Sequence, residues 1–90
     1  MTNRAILKQL LNDIKQYSNS RENRSDFAIS FIDAIESLED IPFSIMNEAR
    51  DWQYRIETDG YVDKAGYEKL NKQLFAQLSL WVNNLLRSYG

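Results

Sequence analysis

The chain contains no cysteine and no histidine among its 90 residues. Without cysteine, disulfides, thiolate nucleophiles and zinc–thiolate sites are excluded. Without histidine, the commonest general base and the commonest transition-metal ligand are missing too. Any catalysis would have to rest on carboxylates, lysine, tyrosine or serine. We therefore expect that the chain is not an enzyme and that it holds no metal ion or other cofactor.

Glycine and long apolar runs are also scarce. Three glycines leave no glycine-rich loop for a nucleotide phosphate. No apolar run approaches the roughly 20 residues that a membrane span needs, and residues 1–20 lack the apolar segment of a signal peptide. Ninety residues support one hydrophobic core. These absences predict a single cytoplasmic domain over residues 1–90 with no membrane partner.

Four apolar stripes recur with the period of an α-helix. They comprise Ile6, Leu7, Leu10, Leu11, Ile14 and Tyr17; Phe27, Ala28, Phe31, Ile32, Ile35 and Leu38; Ile45, Met46, Ala49, Trp52, Gln53 and Ile56; and Tyr67, Leu70, Leu74, Phe75, Leu78, Trp81, Val82, Leu85 and Leu86. The stripes predict helices near 3–18, 26–39, 42–58 and 64–88. Because the connections are short, neighbouring helices should run antiparallel. The predicted fold is an all-α, up-down four-helix bundle.

The centre of each stripe predicts the core of this bundle. The expected core residues are Leu7, Leu10, Ile14, Phe27, Phe31, Ile35, Ile45, Ala49, Trp52, Leu70, Leu74, Leu78, Trp81 and Leu85.

Charge is distributed unevenly along the chain, although the formal total is only −2. Residues 26–63 carry ten carboxylates against Arg50 and Arg55, a net −8, whereas residues 1–25 and 64–90 each carry a net +3. An acidic block between basic ends points to a basic partner and argues against a phosphate backbone as ligand. The sequence therefore predicts a basic protein partner and no nucleic-acid binding.

The acidic block offers candidate partner-binding carboxylates. Asp33, Glu36 and Asp40 are spaced i, i+3 and i+7, which predicts one face of the second helix. They form either a merely solvated helix face or an anionic surface for the lysines and arginines of a partner. Glu48 and Asp51 would extend this surface if the second and third helices are adjacent.

Arg55 follows Asp51 by four residues, a spacing that instead favours an ion pair within the third helix. Arg55 also stands next to Tyr54, which lies off the apolar stripe, and Tyr61 follows a few residues later. Exposed tyrosines beside an arginine and acids have the composition of interface hot spots. Tyr54, Arg55 and Tyr61 are thus candidate anchors for a partner, the alternative for the tyrosines being loop anchoring.

Two features of the chain resemble bacterial immunity proteins. They are the acidic middle (Asp33, Glu36, Glu39 and Asp40) and the stretch Leu38-Glu39-Asp40-Ile41-Pro42 leading into Asp51-Trp52. The similarity is to the colicin D type and to the helical immunity proteins of contact-dependent inhibition systems. It implies a small helical bundle that binds and neutralises a basic toxin domain, often a nuclease acting on tRNA. A net charge of −2 is mild for such a protein.

A second class of function also fits the pattern. A small helical adaptor or regulator that self-associates or docks on a larger complex would show exposed apolar surface. Leu11 and Leu80, at the edges of their stripes, are the candidates for that surface.

Overall fold

Four helices dominate the computed structural model, which describes residues 2–17, 24–62, 64–66 and 68–90, with 68–70 described by their backbone alone. Helix α1 spans Asn3–Tyr17, α2 spans Arg24–Glu36, α3 spans Phe43–Thr58 and α4 spans Lys72–Tyr89. The all-α four-helix fold is confirmed. No helix within these ranges combines the length and the apolar character needed to cross a membrane.

A two-stranded antiparallel sheet precedes α4, and the sequence patterns did not predict it. Strand β1 spans Gly60–Val62 and β2 spans Glu68–Leu70, with Tyr61 opposite Lys69. The predicted start of the fourth helix at residue 64 is therefore wrong. Gly66 adopts a φ of +88°, in the left-handed region that glycine tolerates and a helix does not use. Tyr67, placed in the fourth stripe, lies outside the described residues.

Helix α4 begins where a polar side chain can cap it. Asn71 accepts a hydrogen bond from the backbone N–H of Gln73 at 2.9 Å, which satisfies one of the free donors of the first turn. A helix start at residue 72 thus has a cap, whereas Gly66 interrupts the longer helix that the apolar period suggested.

The connection between α2 and α3 begins earlier than predicted. Helix α2 ends at Glu36, and the Leu38 N–H donates to the Ile35 carbonyl at 3.1 Å, an i→i−3 bond that tightens the last turn. Asp40 then takes a φ of 56°, and Pro42 is the extended N-cap of α3. Asp40 consequently lies in this connection and not on the helix face where its spacing placed it.

The helices run antiparallel to their neighbours. The most extensive backbone packing joins α2 to α3 and α1 to α4, and a smaller contact joins α1 to α2. Helices α3 and α4 meet through side chains, since the ring centres of Trp52 and Trp81 lie 6.1 Å apart. Strand β2 lies against α2.

The core is built from the predicted stripes. The seventeen apolar residues that are buried in the described part of the chain all belong to them: Ile6, Leu7, Leu10, Ile14, Tyr17, Phe27, Ala28, Phe31, Ile32, Ile35, Leu38, Ala49, Ile56, Leu74, Leu78, Val82 and Leu85. Ile45, Trp52 and Trp81, predicted as core, are only half-buried. They lie on the side where α3 and α4 meet through side chains, so their outer edges reach solvent. The side chain of Leu70 lies outside the described residues.

Tyr17 and Phe27 join the end of α1 to the start of α2. Their rings stack with centroids 4.4 Å apart and planes inclined by 9°, and each side chain is only 1% exposed. Stacked aromatic pairs add to the free energy gained from their burial. This contact fixes the spacing of α1 and α2 at one end of the bundle.

Replacing one ring of this stack should destabilise the whole domain. We expect Phe27→Ala to lower the free energy of unfolding by about 3–5 kcal/mol, because it removes a large buried side chain and leaves a cavity. Ile29→Ala is the matched control on the same helix, since Ile29 is 52% exposed, and it should cost only about 0.5 kcal/mol. Urea unfolding followed by circular dichroism gives both values. Equal losses of unfolding free energy would contradict the burial of Phe27 and the exposure of Ile29 on α2.

Candidate functional site

The packing of the helices separates charge of opposite sign. Residues 24–59, which form α2, α3 and their connection, carry nine carboxylates against three arginines, a net −6. Helices α1 and α4 carry five bases against Asp13, a net +4. Because α2 packs on α3 and α1 packs on α4, the domain consists of an acidic half (residues 24–59) and a basic half (α1 and α4). Opposed halves give the molecule a directional electric field.

Two of the predicted carboxylates lie near the end of α2. Asp33 and Glu36 are exposed in its last turns, and Asp40 is exposed in the connection that follows. The three therefore share one end of the acidic half, although they do not share one helix face.

Glu48 and Asp51 lie elsewhere on the acidic half. Both are exposed on α3, one helical turn before Trp52 and Arg55 respectively. Residues four apart lie on one helix face, and Trp52 and Arg55 contact α4. Glu48 and Asp51 thus line the α4 side of α3, apart from Asp33, so the structure divides the predicted carboxylates between two surfaces.

Arg55 has a structural contact that its spacing did not indicate. Its guanidinium carbon lies 4.5 Å from the centre of the Trp52 ring, and its Nη2 donates to Gln77 Oε1 at 3.1 Å. The predicted ion pair with Asp51 is not formed within the described part of the chain. Arginine stacks favourably on indole because its planar cation is weakly hydrated. Arg55 therefore helps to close the gap between α3 and α4.

The predicted aromatic anchors both reach the surface. Tyr54 is 67% exposed on α3 and Tyr61 is 49% exposed on β1. Three more large apolar side chains, Ile29, Phe43 and Val62, are also exposed and were not predicted as site residues. Ile29 and Phe43 are large apolar residues off the helical stripes, a sequence signal by which they could have been found.

Leu11 and Leu80, the apolar candidates of the adaptor hypothesis, differ in exposure. Leu80 is 59% exposed on α4. Leu11 is half-buried and packs against the core. One of the two thus belongs to the apolar surface that this hypothesis requires.

A groove of about 660 Å³ runs between α1 and α2. Its apolar lining comes from Ile6 and Leu10 on α1 and from Ala34 on α2. Ser30 and Ser37 also line it, one turn to either side of Ala34. Small side chains on α2 and directly after it leave this space open. The apolar stripe of α2 lies on a different face, so its period gives no signal of the groove.

Three carboxylates line the same groove: Asp13 from α1, Asp33 from α2 and Glu39 from the connection after α2. Asp33 and Glu39 are exposed, and Asp13 is half-buried. The Gln9 side chain donates to Asp13 Oδ1 at 2.9 Å and so orients it. Asp13 lies in the basic N-terminal segment, and only the packing of α1 on α2 brings it to the acidic half.

The groups on the described surface include carboxylates, tyrosine rings and apolar side chains. Within the described ranges, no group of three histidine, cysteine, aspartate or glutamate side chains is placed to hold a metal ion. What the site presents is exposed negative charge, a groove between α1 and α2 and exposed aromatic rings. Exposed aromatic rings are enriched at interfaces between proteins.

The contact of Arg55 with Trp52 can be tested through stability. Arg55→Ala should lower the free energy of unfolding by roughly 1–2 kcal/mol, since it removes a cation–π contact and a hydrogen bond. Arg50→Ala is the control, because Arg50 is exposed on the same helix and carries the same charge. Unfolding in urea, followed by tryptophan fluorescence, measures both. If the two variants lose equal stability, the contact with Trp52 contributes nothing beyond surface charge.

Comparisons with known proteins do not assign this surface to a family. No family model, no curated protein and no solved structure matches the chain. Its function is therefore inferred from charge, exposure and shape.

Proposed function

We propose that this chain is a protein-binding domain that docks on a basic protein through its acidic half. The observation that carries the proposal is the separation of a net −6 half from a net +4 half by the packing of the helices. A field of this kind orients an approaching basic protein before contact and raises the rate of association. The same field repels a phosphate backbone from the acidic half.

The partner that fits best is a nuclease toxin domain, which the chain would neutralise as an immunity protein. A nuclease needs a basic substrate surface because nucleic acid presents closely spaced phosphates. A carboxylate-rich protein surface can occupy that site and exclude the substrate. This specific role rests on the resemblance of the acidic middle to immunity proteins, together with the exposure of Asp33, Glu36 and Asp40.

Affinity in such a complex comes from a few central anchors, while charges at the rim mainly set rate and specificity. Tyr54 and Tyr61 remain the proposed anchors from the sequence, and the exposure of Phe43, 74%, adds a third. Arg55 is a weaker candidate than its sequence position suggested, because its guanidinium is engaged with Trp52 and Gln77.

A second candidate is a self-associating or complex-docking adaptor. The observation that favours it is the pairing of opposite halves on one chain, with Leu80 exposed at 59% on the basic half. The acidic half of one copy would then face the basic half of the next. Sedimentation at increasing protein concentration distinguishes the two, since only the adaptor should form salt-sensitive oligomers without another protein.

The immunity proposal predicts a kinetic effect of charge removal. Immunity proteins of the type that this chain resembles are encoded beside their toxins, so the partner to test is the protein encoded by the adjacent gene. The triple variant Asp33→Asn, Glu36→Gln, Asp40→Asn should associate with it about tenfold more slowly at low salt. It should also lose most of the salt dependence of association. Its stability should stay equal or rise by a few tenths of a kcal/mol, roughly the repulsion of two like charges on one helix face. Stopped-flow fluorescence at two salt concentrations measures the rates.

The matched control is the triple variant Asp26→Asn, Glu57→Gln, Asp59→Asn. It removes the same charge from the other end of the acidic half, at the start of α2 and the end of α3. We expect a smaller effect on rate from this variant. If neither variant slows association, the carboxylates are merely solvated and the proposed function fails.

A further inference from the structure

We propose that the outward side of α3 is the contact surface for the basic partner, and that Arg50 at its centre pairs with a carboxylate on that partner. The inference rests on the proposed function and deepens it, because it states what the partner presents at the point of contact. The occupant is a basic protein whose contact surface carries one acidic side chain between two apolar sites.

Four exposed side chains follow one line along α3. They are Phe43, Asn47, Arg50 and Tyr54. Their spacing is i, i+4, i+7 and i+11, which keeps them within about 60° of one another around the helix axis at about 100° per residue. The buried residues of α3, Ala49 and Ile56, lie toward the opposite side. This line, the outward stripe, therefore points away from the core.

The two ends of the outward stripe are aromatic rings that the fold leaves in water. Phe43 is 74% exposed and Tyr54 is 67% exposed. They stand three helical turns apart, about 16 Å at a rise of about 1.5 Å per residue. Aromatic side chains are enriched in the buried centres of interfaces between proteins. Two rings at this spacing are therefore suited to enter two apolar sites on another protein.

Arg50 is the arginine of the acidic half that the contacts of the described residues leave unengaged. The other two have contacts within the fold, Arg24 with the Glu57 carbonyl at 3.3 Å and Arg55 with the Trp52 ring. No acidic residue stands three or four positions from Arg50, so its own helix offers it no ion pair. Its guanidinium is therefore available to another molecule.

Steering does not explain a base at the centre of this stripe. The positive charge of Arg50 weakens the field of the acidic half, so a basic protein would associate faster without it. A guanidinium, however, matches a carboxylate through two parallel hydrogen bonds. Between two anchoring rings, such a pair would be surrounded by contacts that exclude water. Arg50 thus selects, among basic proteins, those that carry an acidic side chain at this point.

The charge beside the outward stripe fits a basic protein and disfavours a second copy of this chain. Asp51 and Glu57 are exposed on opposite sides of the stripe, about 70° and about 50° from its middle. Lysines and arginines at the rim of the partner surface can pair with both. A second copy would instead bring one net −6 half against another, and like charges across an interface repel.

The kinetics of the complex with the protein encoded by the adjacent gene separate contact from steering. Phe43→Ala and Tyr54→Ala should each raise the dissociation rate at least about tenfold (about 1.4 kcal/mol), because anchors hold a complex together. Association should change less than about twofold, since neither substitution alters charge. Ile29→Ala and Leu80→Ala are the controls, at 52% and 59% exposure on α2 and α4, and should leave both rates unchanged. Tyr54→Ala carries the test if Phe43→Ala, at the first residue of α3, lowers helicity by circular dichroism.

Arg50 gives the sharper test, because its charge and its contact predict opposite effects. Loss of one positive charge from the acidic half should speed association with a basic protein. Arg50→Ala should nevertheless raise the dissociation rate at least about tenfold, because the partner's carboxylate loses its donors. Arg50→Lys keeps the charge without the planar fork, so it should restore the parent association rate and only part of the slow dissociation. Arg87→Ala removes the same charge from an exposed position on α4 and should leave dissociation unchanged.

Two results would overturn the inference. They are dissociation of the ring variants at the parent rate, and unchanged or slower dissociation of Arg50→Ala. The proposed function fails differently. If the triple variant at Asp33, Glu36 and Asp40 slows association but the ring and Arg50 variants dissociate like the parent, the basic partner stands and the outward side of α3 is not its contact. If those variants dissociate faster but the triple variant associates at the parent rate, the contact stands and steering by the acidic half does not.

Discussion

Helix α2 buries side chains against each of the other three helices, and its aromatic residues set their positions. Phe27 stacks on Tyr17 of α1, and Phe31 lies with its ring centre 6.0 Å from that of Trp81 on α4. The same helix makes close backbone packing with α3. Because interiors are packed as densely as organic crystals, these contacts cannot be changed one at a time. The spacing of α1 from α2, and with it the groove, follows from how α2 is held.

The surface charges contribute little to the stability of this bundle. No charged side chain is buried in the described part of the chain, and exposed ion pairs add little free energy. The like charges of the acidic half repel each other and oppose folding. The free energy gained from burying the apolar core offsets this repulsion. The exposed carboxylates therefore stay available for interaction with another molecule. A surface of this kind is sensitive to salt, since exposed charges are screened beyond about 10 Å at moderate ionic strength.

Helix α3 packs against α4 on one side and stays exposed to solvent on the other. Toward α4, the half-buried Trp52 and Arg55 close a gap that backbone packing leaves open. Away from it, Tyr54 and Phe43 stay exposed at 67% and 74%. Residues neighbouring in sequence thus have different roles, because successive side chains on a helix point about 100° apart. Tyr54 and Arg55 were paired as anchors by their adjacency in sequence, yet only Tyr54 presents a free surface.

The apolar period of the amino-acid sequence accounts for the four helices and for the core of this protein. Among the described residues, the seventeen that are buried all lie in the four stripes. Burial of one helix face repeats at every turn, so the pattern of apolar residues shows it directly. Which helices pair depends on packing between distant segments, and this packing brings Asp13, Asp33 and Glu39 to one groove. Tertiary packing also selects the partner of Arg55, because an arginine can contact any of several neighbouring groups. It forms the sheet before α4, because a β-strand is stable only when it pairs with another strand. These features depend on contacts between segments distant in sequence, and no periodicity within a single segment encodes such contacts.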